Sequence, residues 1–259
     1  MDVRPHWDIC TMRHRAATAQ VEDMTNTSST LARAHSAWAP LSHSARIGSG
    51  LALILGAALI AVPQYVEYLL AGDLEREAQI AWGLQHQTFY RLEWVLAMFG
   101  SFLLVPGFLG IWHITRHQAP RLTAVGAVVL LWGLAGQVFS DVATYTAQVV
   151  AGDVFGAADA ERLIADGYLE DPGMIGGVLV PVIVGMLVGI LVTAAACWRS
   201  GFPKAPVAML ALWPLWDFLG PTPLGPFTTD LLLLGAGVWL GLLVVRGREL
   251  DPDATGVGA

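Results

Sequence analysis

Six apolar runs, most of them long enough to cross a bilayer, leave this chain few ways to fold. They cover residues 47–70, 89–114, 122–150, 174–197, 207–219 and 226–245. A helix rises 1.5 Å per residue, so roughly 20 apolar residues cross a ~30 Å hydrocarbon core. The fifth run is short. It spans fully only if residues 202–206 join it, and is otherwise a re-entrant segment. Pro63, Pro106, Pro181 and Pro214 fall inside runs. They read as kinks rather than boundaries, because neighbouring groups in a membrane bundle can satisfy the carbonyls that proline frees. The expected fold is all-α, a polytopic transmembrane bundle of about six spans.

Composition agrees. Only 14% of the 259 residues are charged, against roughly 25% in a soluble domain. The net charge of −7 argues against nucleic-acid binding, which needs a basic face. Cys10 and Cys197 make no disulfide framework and read as two unpaired thiols.

Orientation follows from the basic residues. With the amino terminus inside, the cytoplasmic segments hold Arg4, Arg13, Arg15, Arg33, Arg46, Arg116, Arg121, Arg199, Lys204, Arg246 and Arg248. The opposite side holds only Arg76, Arg91 and Arg162. The positive-inside rule therefore places both termini in the cytoplasm. Three parts are expected: residues 1–45, a disordered cytoplasmic tail; 46–246, the six-helix membrane domain; and 247–259, a short cytoplasmic tail. The first tail has no apolar stretch of the kind a secretory signal needs, and Met12 and Met24 are alternative starts to Met1. The expected location is the plasma membrane. Thirteen Arg against one Lys, with abundant Ala, Gly, Leu and Val, points to a high-GC bacterial genome.

The outer loops are acidic. Residues 71–88 carry Asp73, Glu75 and Glu77, and residues 151–173 carry six acids. Within the second loop, residues 159–167 read as a short helix capped by Asp159, either a lid or a solvated connector. Trp82, Trp94, Trp112 and Trp198 fall near span ends, as interfacial aromatics do. Gly185/Gly189 and Gly237/Gly241 place small residues one turn apart, which lets helix backbones approach closely. They are expected to pack helices within one chain, with a homodimer through either face as the alternative.

An ionisable residue within a span is costly and usually faces the bundle interior or water. Glu67, Glu93, Asp141, Asp217 and Asp230 all fall in the outer halves of their runs. On the third run Gln137, Asp141, Thr144 and Gln148 recur at helical spacing, making one polar stripe. Gln64, Glu67 and Tyr68 share a face of the first run. The expectation is an outward-opening acidic cavity, with Asp141, Glu93, Glu67, Gln137, Arg91 and His86 as its ligand-binding residues. Arg91 is the expected partner of one acid, Glu93 included. Glu67, Asp217 and Asp230 sit close enough to span ends to read as merely interfacial groups. His113 and His117 have a spacing that can hold a metal or haem, but no facing ligand is recognisable. No phosphate loop, nucleophile elbow or paired-cysteine motif occurs, so no cofactor and no metal is expected.

The stretches "SARIGSGLALILGAAL" and "CWRSGFPKAPVAMLALWPL" resemble a family of six-span bacterial membrane proteins known only as a domain of unknown function. That family begins with Ala-Arg-Ile and has Ser-Gly-aromatic-Pro between its last hairpins. The resemblance runs over residues 45–245 and implies architecture, not an activity. Glu93 and Pro106 depart from the plainer second helix it leads one to expect.

Three functions suit these features. The first is a membrane protein whose outward acidic cavity binds or moves a small solute, cation or proton. The second is an intramembrane enzyme using Asp141 or Glu93 as a general acid on a lipid or isoprenoid. The third is a non-catalytic accessory or sensor subunit. The bilayer is the one partner all three share.

Overall fold

The computed structural model describes residues 41–72, 74–164, 171–218 and 227–246. Both expected tails lie outside these residues, apart from residues 41–45. Every element among the described residues is helical. The helices are α1 (His43–Ala71), α2 (Arg76–Gln85), α3 (Gln87–Thr115), α4 (Pro120–Phe155), α5 (Ala157–Arg162), α6 (Pro172–Arg199), α7 (Lys204–Phe218) and α8 (Phe227–Arg246).

Local chemistry accounts for several of these limits. The Ser42 side chain accepts from the Ala45 N–H at 3.2 Å, satisfying one of the orphan donors at the start of α1. Pro120 opens α4 at a position where its missing N–H costs nothing. Pro63 and Pro106 sit inside α1 and α3, which run on through them. In α6 the ladder is wider. π-Helical turns occupy Ile175–Leu179 and Pro181–Met186, around a proline that supplies no N–H to the preceding turn. α4 widens likewise over Thr146–Ala151.

Five helices are long and apolar enough to cross a membrane: α1, α3, α4, α6 and residues Thr228–Arg246 of α8. The fifth apolar run forms α7, which starts at Lys204 and has 15 residues. At 1.5 Å per residue it is about 22 Å long, short of a ~30 Å core.

The six longer helices close a ring in chain order. α1 packs on α3, α3 on α4, α4 on α6, α6 on α7, α7 on α8, and α8 back on α1. Short connections make sequential helices neighbours. One apolar core fills the ring, including Leu53, Leu104, Leu130, Ile190, Leu210 and Leu240. The outward faces are apolar as well, with Leu55, Phe99, Phe102, Val128 and Phe139 exposed. A soluble protein rarely shows so much contiguous apolar surface, whereas lipid requires it.

Close backbone contact holds the ring together. A Cβ on Gly133 of α4 would fall on the backbone of Gly185 in α6, and Gly189 lies equally close to Leu130. Gly237 and Gly241 of α8 lie against Ala57 and Gly50 of α1. Both small-residue pairs thus face helices of the same chain.

The same contacts order the two ends. Gly50, near the start of α1, meets Val245, and Gly110, near the end of α3, meets Val244. The Ser200 hydroxyl, between α6 and α7, donates to the Thr115 carbonyl at 3.5 Å. Arg46, Arg116, Arg121, Arg199, Lys204 and Arg246 therefore belong to one end of the ring. Glu67, Glu93 and Asp230 lie together at the other.

Two local expectations change. Residues 157–162 form the helix in the second acidic loop, and it starts at Gly156 rather than at a capping Asp159. Gly156 takes φ 93, a left-handed conformation that breaks the chain from α4 at little cost to glycine. Asp159 instead pairs with Arg162, one turn on, at 3.6 Å. Trp112 is not interfacial: it is 4% exposed, and its indole N–H donates to the Thr193 hydroxyl at 3.2 Å. Trp198 does fit an interfacial role, exposed and with the Lys204 ammonium 5.5 Å from its ring centroid.

Candidate functional site

Glu67 lies one turn before the end of α1, Glu93 in the second turn of α3, and Asp230 in the first turn of α8. Ring closure brings all three to one cavity of about 310 Å³, whose wall includes Gln64, Tyr68, Gln79 and Trp94. Glu67 is 7% exposed and accepts from the Gln79 side-chain amide at 3.0 Å. Glu93 is 5% exposed, and its Oε2 has no hydrogen-bond partner among the described residues. The Glu67 carboxyl is close enough to share a hydrogen bond with Glu93 as well as act on it electrostatically, and Asp230 adds a further negative charge nearby.

A second cavity, of about 100 Å³, lies deeper. All six ring helices contribute to it, including Ser101, Gln137, Asp141, Met186, Trp213 and Asp230. Asp141 is 5% exposed and accepts twice, from Gln137 Nε2 at 2.8 Å and from Ser101 Oγ at 3.2 Å. Gln64, Ala97 and Asp230 belong to the walls of both cavities. On α3, Glu93, Ala97 and Ser101 recur every four residues, so one helix face descends from the outer chamber to the inner one.

Among the described residues, neither cavity is lined by Lys, Arg or His. Glu67, Glu93 and Asp141 are each at most 7% exposed, and carboxylates held so far from water call for a proton or a cation.

The expected site residues divide accordingly. Glu67, Glu93, Gln137 and Asp141 line the two cavities. Arg91 does not line them, and it does not pair with Glu93. It forms an ion pair with Asp153, which also accepts from Gln87 Nε2 at 2.9 Å. Residues two apart on a helix point to different sides, so an inward Glu93 turns Arg91 outward. His86 is also outside both walls. It stacks on Trp82 at 4.4 Å between centroids, and its Nδ1 lies 2.9 Å from the Trp82 carbonyl. Asp73 and the side chain of Asp217 lie outside the described residues.

The polar stripe of α4 serves two purposes. Gln137 and Asp141 face the inner cavity, while Gln148, farther along, accepts from the Tyr90 hydroxyl at 2.6 Å in a buried contact. The cavity walls also include Ser101, Gln79, Trp94 and Trp213, which are not among the expected site residues. Ser101 was readable as the residue two turns below Glu93; the other three carry no local signal.

At the arginine-rich end Arg116 lies between the paired histidines. It donates to His117 at 3.3 Å and lies 2.9 Å from His113 Nε2. A guanidinium in that place repels a metal ion. Among the described residues no three His, Cys, Asp or Glu converge as metal ligands. Cys197 is buried and unpaired.

No family model, no curated protein and no solved structure matches the chain.

Proposed function

We propose that this chain is an integral membrane protein that holds a small cationic solute in an acidic cavity open to the outer side of the plasma membrane. The single observation that carries this reading is the meeting of Glu67, Glu93 and Asp230, from three separate helices, around one cavity whose wall holds no basic side chain among the described residues.

Six crossings with both termini inside are part of the proposal, matching the layout of the uncharacterised six-span family the chain resembles. Five helices meet the length and hydropathy for spanning. α7 begins beside the arginine-rich end and α8 begins at the acid-rich end. The basic residues gather at the end assigned to the cytoplasm, in line with the positive-inside rule.

The test is thermal unfolding of the purified chain in nanodiscs with methylammonium, guanidinium, potassium, acetate or methanesulfonate. A ligand bound only by the folded state raises the midpoint in proportion to RT ln(1 + [L]/Kd). One or more cations should stabilise, the anions should not, and Glu93→Gln should reduce the effect. Equal responses to cations and anions would overturn the reading.

A further inference from the structure

We infer that the lipid-facing seam between α4 and α6 holds an anionic phospholipid, its phosphate between Arg121 and Arg199 and an acyl chain along the seam. The site lies at the arginine-rich end of the ring and does not rest on the acidic-cavity reading.

The first ground is the register of the seam. Close contacts pair Gly133 with Gly185, Leu130 with Gly189 and Gly126 with Thr193. The two helices are therefore antiparallel, and each turn along α4 matches one turn back along α6. One further turn brings Leu122 level with Cys197, so Arg121 comes level with Trp198, and Arg199 is the next residue. Both arginines are exposed. Lys204 of α7 joins them, its ammonium 5.5 Å from the Trp198 ring centroid.

The second ground is the face that each arginine shares. Arg121, Val125, Val128 and Trp132 recur at i, i+4, i+7 and i+11 on α4, and all four are exposed. On α6 Arg199, Ala195 and Val188 are likewise exposed on one face, with the half-buried Val192 between them. Each stripe is cationic at its end and apolar beyond. A phospholipid has the same order, headgroup first and hydrocarbon below.

The third ground is charge and rigidity. The described acidic side chains lie in the cavity walls and the outer connections, so none of them meets these cations. A phosphodiester supplies the missing negative charge and acceptors that fit guanidinium forks. The exposed Trp198 marks headgroup depth, where indoles collect. Buried bonds hold the two helix ends in place: the Ser200 hydroxyl donates to the Thr115 carbonyl, and the Thr123 hydroxyl donates to that of Thr115 at 2.9 Å. The arginines thus start from fixed backbone positions, which lowers the cost of ordering them on a ligand.

The experiment is native mass spectrometry of the full chain from micelles holding equal amounts of phosphatidylglycerol and phosphatidylcholine with identical acyl chains. Phosphatidylglycerol should be retained at least about fivefold over phosphatidylcholine, because basic residues at the surface favour anionic lipid. Arg121→Gln with Arg199→Gln should remove most of that preference, and each single variant should lower it part of the way. The single variants carry the test if the double variant does not fold. Arg246→Gln, on α8 and away from the seam, should leave the preference unchanged. Glycerophosphoglycerol, the headgroup without its chains, should not displace bound lipid. Equal retention of the two lipids, a ratio indifferent to Arg121 and Arg199, or an equal fall with Arg246→Gln would overturn the inference. Displacement by glycerophosphoglycerol would also overturn it, assigning the arginines to a free phosphate ester. None of these results bears on the acidic cavity.

Discussion

The Ser101 hydroxyl of α3 donates to Oδ2 of Asp141 on α4 at 3.2 Å, with both residues buried. This bond fixes the deepest carboxylate of the ring on the same helix face that carries Glu93 and Ala97. A hydroxyl oriented by one carboxylate oxygen leaves room for a further donor at that acid. Ser101→Ala should therefore weaken binding of a cationic solute at Asp141 and cost about 0.5–1.5 kcal/mol of stability. Titration and thermal unfolding of the same sample check both values.

The Tyr90–Gln148 bond lies outside the cavities and is structural. Tyr90→Phe leaves the Gln148 carbonyl oxygen without its buried donor, at an expected cost of about 1–3 kcal/mol. Adding Gln148→Leu should recover part of that loss, because two apolar partners leave nothing unsatisfied. Chemical denaturation in detergent of the wild type, the single variant and the double variant measures the difference.

Gly133 of α4 and Gly185 of α6 lie so close that a Cβ on either would overlap the backbone of the other. Gly133→Leu must push the helices apart and should destabilise the ring by about 1–3 kcal/mol or more. Gly176→Ala, where an added Cβ meets no atom within 4 Å, should stay within about 0.5 kcal/mol of wild type. Midpoints from thermal unfolding, with size-exclusion profiles, distinguish the two.

Arg91 and Asp153 form an ion pair in which both side chains keep contact with water. A double-mutant cycle with Arg91→Ala and Asp153→Ala should give a coupling below about 1 kcal/mol that shrinks as salt is raised. A coupling of several kcal/mol would place this pair in a drier setting than its exposure implies.

The sequence made the ring's inward acids legible only where a period marked them. Gln137 and Asp141, one turn apart, read as a polar face and form one. Glu67 and Asp230 were indistinguishable from interfacial groups, because their inward placement depends on α8 closing against α1, a long-range event. Arg91 drew attention as the nearest cation in sequence, yet a two-residue offset aims it away from Glu93. α2 gave no apolar period, so Gln79 over Glu67 was not foreseen. Trp112 lies one turn before the end of α3, where interfacial aromatics are expected, yet its ring turns inward onto Phe108 and Thr193. The length of the fifth span is the feature the sequence leaves open, and the 15 described residues of α7 account for about 22 Å of it.

Sidedness is tested by single cysteines in a background lacking Cys10 and Cys197. On intact cells a membrane-impermeant thiol reagent should label Asp159→Cys and leave Gln118→Cys unreacted until the membrane is opened. The reverse pattern would invert the assignment of inside and outside.

The most direct measurement of the central claim uses Ala97→Cys, a buried position bordering both cavities. Its reaction rate is compared for a trimethylammonium thiosulfonate and for its sulfonate-bearing counterpart, each added from the outer side. A water-accessible chamber ringed by Glu67, Glu93 and Asp230 should favour the cation by at least about tenfold, because acidic walls concentrate cations and repel anions. Glu93→Gln should narrow that ratio. Equal rates, a faster anion, or no reaction with either reagent would contradict an acidic cavity open to that side.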